Sequence, residues 1–207
     1  MRFFSKYIWR FSIHKKEIYL TFDDGPTPDI TEFVLEELNK YEANATFFCI
    51  GKNIENHPEI FKRIIKEGHV IGNHTQNHLN GWKNNNTNYL ENVIKAEHII
   101  SSQIQKSNEC VTHIPKLFRP PYGKIKRKQA KELLAIGYKI VMWSVLSGDF
   151  DTKLSKEKCL QNVLQNTENG SIIVFHDSKK ASEKVKYVLP KILKNFSEKG
   201  YVFKAIK

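Results

Sequence analysis

Residues 17–26 read EIYLTFDDGP. The run Glu17 to Phe22 is apolar, β-branched and aromatic, which predicts a buried strand. Gly25-Pro26 marks a turn. Asp23 and Asp24 fall between the two, just past the C-terminal end of the strand. On its own a DDGP sequence is ordinary turn chemistry. What sets it apart is that the arrangement recurs along the chain. His74, with His78 four residues on, follows HVIGN; Arg119 follows KLF; YKIVMW leads through Ser144, Ser147 and Gly148 to Asp149; and SIIVF runs into His176 and Asp177. Five apolar runs each deliver ionisable side chains at the same end.

Segments of helical period separate these runs. Helices are expected over about 29–41, with Phe33, Val34, Leu35 and Leu38 as the apolar stripe and Asp29 at the start, and over 57–66, opened by His57-Pro58 and stopped by Gly68. Others are expected over 89–105, up to Ile136 before Gly137, from Ser155 to before Gly170, and over 182–198, where Pro190 should kink or break the helix. With further strands at 45–50 and 201–203, the count is seven. Strands alternating with helices imply parallel pairing through right-handed crossovers. An open doubly wound sheet would leave some strand ends far apart at its edges. A barrel gathers them on one face, where barrel active sites form. The expectation is therefore an α/β barrel forming a single domain over residues 1–207, with its core at about 15–206.

The chain of 207 residues carries 33 basic and 22 acidic side chains, a formal charge of +11. That balance favours acidic partners such as anionic glycans, nucleic acids or a membrane surface. The lysines are dispersed and no nucleic-acid motif accompanies them, so no specific nucleic-acid partner is expected. Cys49, Cys110 and Cys159 are widely spaced and match no zinc-ribbon pattern, and read as reduced structural thiols. The basic, aromatic stretch over residues 1–14 has no clean export signal, and is expected either on the body of the fold or on a membrane surface. No run is long and apolar enough for a transmembrane segment. By default this reads as cytoplasmic. The oligomeric state is not legible.

The recurring side chains suit hydrolysis of an amide or ester. If the segment His74 to His78 turns helically, both imidazoles project from one face. Two imidazoles, one carboxylate and a water make a catalytic shell for one divalent ion, which activates the water and polarises a carbonyl. Of Asp23 and Asp24, one can bind the ion while the other stays free as a base. His176 has the right type and place for the acid that protonates the leaving group. Asp149 can keep it protonated, and Arg119 can pair with Asp149 or Asp23.

In this order and spacing the residues resemble the polysaccharide deacetylase family with the NodB homology domain, carbohydrate esterase family 4. The family's first motif stands as TFDDGP at Thr21 to Pro26, the second as HTQNH at His74 to His78, the third as RPPY at Arg119 to Tyr122, and the fifth as IIVFHD ending at Asp177. The resemblance implies a distorted (β/α)7 barrel. It also implies Asp24, His74 and His78 as ligands of Zn2+, with Co2+, Ni2+ or Mn2+ as alternatives. Asp23 would be the base, oriented by Arg119, and His176 the acid. Tyr122 beside Pro121 would help form the acetyl pocket, its backbone N–H serving as an oxyanion donor.

The fourth motif departs from the family pattern. Leu146 stands where an acidic residue is common, Phe150 replaces a Trp, and Asp149 or Asp151 tunes His176. Trp82 is a candidate platform for stacking a sugar. The implied partner is an acetylated carbohydrate, and the leading activity is deacetylation of N-acetylglucosamine units in peptidoglycan or chitin-like chains. Acetylxylan or small-amide hydrolysis is the alternative on the same site, and a glycan-binding module without turnover is the non-enzymatic one. The resemblance favours the cell envelope or secretion over the cytoplasm.

Overall fold

The computed structural model describes residues 6–106 and 115–207. β1, Glu17–Asp23, is buried along almost its whole length. That is why it reads as a continuous apolar run rather than an alternating one. It pairs in parallel with β2, Thr46–Cys49, on one side, and with the strand at Ile172–His176 on the other. β3 is Val70–Asn73, β4 Leu117–Phe118, β5 Lys139–Ile140, β6 Val145–Leu146, β7 Ile172–His176 and β8 Val202–Phe203. The strand order is β5-β4-β3-β2-β1-β7-β6, with β8 off this path and paired to the start of β1. Among the described residues every pair of these strands is parallel.

The curled sheet is a distorted barrel of seven strands, but not the seven expected. The two-residue run Val145–Leu146 joins the path, and the run at 202–203 lies outside it. The expected strand at 138–143 shortens to β5, after which the chain crosses to the other edge of the sheet. The ladder is open between β5 and β6. Residues 8–11 bridge the seam: Ile8 pairs with Val141 beside β5, and Arg10 pairs with Ser171 at the foot of β7. The Phe11 N–H donates to the Gly170 carbonyl at 2.8 Å, and the Phe11 ring stacks on Tyr19 at 4.1 Å. Residues 8–11 thus lie on the body of the fold, the first of the two placements expected for residues 1–14; residues 1–5 lie outside the described residues.

The helices are α1, Ile30–Asn39; α2, Gly51–Asn56; α3, Pro58–Lys66; α4, Asn86–Lys106; α5, Arg127–Ala135; α6, Lys156–Asn166; and α7, Ser182–Glu198. Gly68 and Gly137 follow α3 and α5 with φ of 83° and 91°, the left-handed stop that glycine adopts without strain. α2 has no counterpart among the expected helices. α7 runs through Pro190 without a break. A mid-helix proline costs about 3 kcal/mol. Here Val185, Val188, Leu189, Ile192, Leu193 and Phe196 are all buried from that helix, which outweighs the cost at about 1.5–3 kcal/mol for each buried side chain. Among the described residues Cys49 and Cys159 are buried free thiols, and Cys110 lies outside the described residues. No described helix is long and apolar enough to cross a membrane.

Candidate active site

The C-terminal ends of β1, β3, β4, β6 and β7 open onto one cavity of about 510 Å³. Asp23, Asp24, His74, His78, Tyr122 and His176 line it. Asp23 and Asp24 face the same cavity because the chain twists at Asp24 itself, where φ is 84°. Successive side chains of an extended strand would point to opposite sides. The Asp177 carboxylate secures the turn, accepting the Gly25 N–H at 3.0 Å and the Thr31 hydroxyl at 2.6 Å. A Cβ on Gly25 would overlap that carboxylate, so only glycine fits there. Burial pushes the Asp177 carboxyl up to about 7.

The segment from His74 to His78 is not helical. It is a loop in which Thr75 and His78 adopt φ of 65° and 54°. The Thr75 N–H donates to the Asn73 side chain at 2.8 Å, and the Thr75 hydroxyl accepts the Leu79 N–H at 3.0 Å. These bonds hold the loop in its coil, so the imidazoles converge through left-handed turns and not through helical spacing. Non-glycine residues in that region are uncommon and gather where a site dictates the backbone. Four of the six seen here, Asp24, Thr75, His78 and Tyr122, belong to this cavity or its loops.

One ligand atom each from Asp24, His74 and His78 falls within 4.8 Å of the others. Asp24 Oδ1 is 3.8 Å from His74 Nε2 and 3.3 Å from His78 Nε2. His74 Nδ1 sits 2.7 Å from the Arg119 carbonyl, which fixes the proton on Nδ1 and leaves the Nε2 lone pair facing Asp24. Burial, only partly offset by Asp23 and Asp24, lowers the His74 pKa. Burial and then His74 lower His78 to about 4. Both rings are therefore neutral donors. Asp24 Oδ1 is buried with no hydrogen-bond partner, a costly state unless a cation meets it. These residues fit a divalent ion.

Asp23 has a different neighbour. Arg119, fully buried, donates through Nη1 to Asp23 Oδ1 at 2.7 Å and to the Thr21 hydroxyl at 2.6 Å. Its other nitrogens reach the carbonyls of Val141 and Met142, and its guanidinium lies 4.2 Å over the Phe48 ring. Burial works to raise the Asp23 pKa, but Arg119, His74 and His176 together hold it below the usual carboxylate value. Arg119 thus pairs with Asp23 and leaves Asp149 to His176.

Asp149 Oδ1 lies 2.7 Å from His176 Nδ1, and its Oδ2 accepts the His176 backbone N–H at 2.6 Å. Burial alone would lower the His176 pKa. Asp149, with help from Asp23 and Asp24, raises it to about 9. Asp151 is exposed, its carboxylate taken up by the Lys153 N–H, so the pairing with His176 belongs to Asp149.

Trp143, Leu146 and Val174 form apolar wall, and the Phe150 ring stands edge-on to His176 at 5.1 Å. Two expectations for the pocket need correction. Pro121 is buried away from the cavity, and Pro120 lines it instead. Trp82 does not line the cavity. It is 61% exposed, its Nε1 donates to the Ile125 carbonyl at 3.2 Å, and Lys124 lies over its ring at 5.3 Å. Tyr122 does line the cavity, with its ring 4.5 Å from His78. Asp177, whose only signal in the sequence is its place directly after His176, and Lys124 and Lys180, which line the cavity, carry no motif that marks a role for them.

The polysaccharide deacetylase family matches residues 12–141. A peptidoglycan-N-acetylglucosamine deacetylase of Bacillus cereus is 41% identical over 175 residues, which cover 84% of this chain and 61% of that protein. A second of that name from the same organism is 34% identical over 196 residues, covering 94% and 88%. The chain thus spans less than two thirds of the first relative and most of the second. The crystal structure of a peptidoglycan N-acetylglucosamine deacetylase, in complex with 4-naphthalen-1-yl-N-oxidanyl-benzamide, superposes with a TM-score of 0.88 at 36% identity, covering 97% of this chain and 91% of that one.

Proposed function

Because this chain belongs to the polysaccharide deacetylase family, we propose that it is a metal-dependent hydrolase that removes acetyl groups from N-acetylglucosamine units of a glycan. One observation carries the reading: an Asp-His-His cluster with an unpartnered buried oxygen sits beside a second aspartate that Arg119 holds away from the cluster. A divalent ion bound there, of which Zn2+ suits the donor set best, supplies acidity to water and polarises the acetyl carbonyl.

The chain's own groups do the rest. Asp23, held as a carboxylate by Arg119, accepts the proton of the attacking water at its free oxygen. The Tyr122 backbone N–H is the donor offered to the carbonyl oxygen as it gains charge. Trp143, Leu146 and Val174 pack on the acetyl methyl and exclude water. His176, its Nδ1–H held by Asp149, delivers the Nε2 proton to the departing amine nitrogen. Acetate and a free amine leave.

The test is release of acetate from N-acetylglucosamine oligomers and peptidoglycan fragments, with and without a chelator. Acetate that disappears with chelator and returns with Zn2+ is the expected result. Chelator-resistant release, or release from acetylxylan alone, refutes the reading.

A further inference from the structure

The cavity mouth carries a charge pattern that the chemistry does not use. Its acidic lining consists of Asp23 and Asp24. The first is paired with Arg119, and the second faces two imidazoles. Apart from His176, which the chemistry uses, the remaining charged side chains that line it are two lysines, Lys124 and Lys180. They reach the mouth from different elements. Lys124 follows the turn at Pro121–Gly123, and Lys180 precedes α7. Lys180 is exposed and makes no hydrogen bond or ion pair among the described residues. The Lys124 ammonium lies over Trp82, at 5.3 Å, with no carboxylate partner among them. Nearby Lys184 is different: its ammonium is taken up by the carbonyls of Asp149 and Asp151.

Ammonium groups in a cavity lining that have no carboxylate partner attract anions and add little for a neutral ligand. Resting on the deacetylase reading, we propose that Lys124 and Lys180 are specificity-determining residues that recognise carboxylates flanking the acetylated sugar. The site then prefers an anionic glycan, such as a strand in which lactyl carboxylates alternate with N-acetylglucosamine, over a neutral N-acetylglucosamine oligomer. An exposed ion pair is worth about 2- to 5-fold at moderate salt, so the two lysines together supply roughly 4- to 25-fold of selectivity. That selectivity is screened once the Debye length falls to a few ångströms.

The experiment compares kcat/KM on two substrates of equal sugar number, one with lactyl carboxylates and one neutral. Wild type, Lys180→Gln and the Lys124→Gln/Lys180→Gln double variant are assayed at low and high salt, after a melting curve confirms that each is folded. The readout is the ratio of the two substrates, not either rate alone. The ratio should favour the anionic strand, fall stepwise through the variants mainly by a rise in its KM, and fall for wild type in high salt. A ratio unchanged by the substitutions or by salt overturns the inference and leaves deacetylation standing. No acetate from either substrate with wild type overturns the deacetylase reading, and this inference with it.

Discussion

Replacing Asp149 by asparagine should change the pH dependence of the proposed deacetylation more than its rate at low pH. In the wild type His176 is raised from 6.5 to about 9, against a burial effect that acts the other way. A shift of that size corresponds to about 3 kcal/mol in favour of the imidazolium. The asparagine side chain would remove the negative charge and offer one acceptor to two N–H donors, while burial would remain. His176 should then titrate at or below its ordinary value. With the acid protonated below its pKa, about 90% of wild type is competent at pH 8 against at most roughly 3% of the variant, a loss of at least about 30-fold, and the defect shrinks as the pH falls toward the variant's own lower pKa. The stability term has the same sign. A group whose pKa is raised on folding stabilises the chain fully below about pH 6.5, and that contribution fades as pH rises through about 9. The assay is kcat/KM against pH for wild type and Asp149→Asn, with metal content measured alongside. A defect of equal size from pH 6 to pH 9, or an alkaline limb that does not move, would refute the assignment of Asp149 as the residue that keeps His176 charged.

Asp23→Asn should retain about one divalent ion yet lose activity by 10²-fold or more, since base catalysis is worth at least that much; near-normal turnover excludes Asp23 as the base. His74→Ala should lose the ion, which elemental analysis measures; full occupancy in that variant contradicts the ligand set. Arg119→Lys should destabilise the chain by about 2–5 kcal/mol in denaturant unfolding. A lysine cannot replace the guanidinium fork, and the buried carbonyls of Val141 and Met142 would lose their donors. Unchanged unfolding would show that those bonds carry no net stability.

Much of the site was legible because its chemistry is written at strand ends. TFDDGP, HTQNH, RPPY and HD each follow an apolar run, and parallel topology does the gathering. What escaped had no periodic signal. α2, GKNIEN, has one apolar side chain in six residues and is held by contacts with α3 and α4. β6 is two residues long and becomes a strand only because β7 pairs with it. The convergence of His74 and His78 depends on left-handed backbone at non-glycine residues, which no spacing rule encodes. Whether Arg119 served Asp23 or Asp149 was undecidable from charge alone; the register that sets β4 between β3 and β5 settled it. Pro120 and Pro121 are adjacent, and only the turn decides which one faces inward.

The seam between β5 and β6 has a bearing on how the chain comes together. Ile8 meets Val141, and Phe11 meets Gly170, partners more than a hundred residues away in sequence. On a ribosome the segment at 8–11 emerges long before either partner exists, and although Phe11 can already meet Tyr19, its backbone has no native partner until Val141 and Gly170 are out. Contacts of such sequence separation form late and slowly. A late event in assembling this chain is therefore the docking of that short segment, and an unfinished polypeptide presents a sheet with one side unlatched.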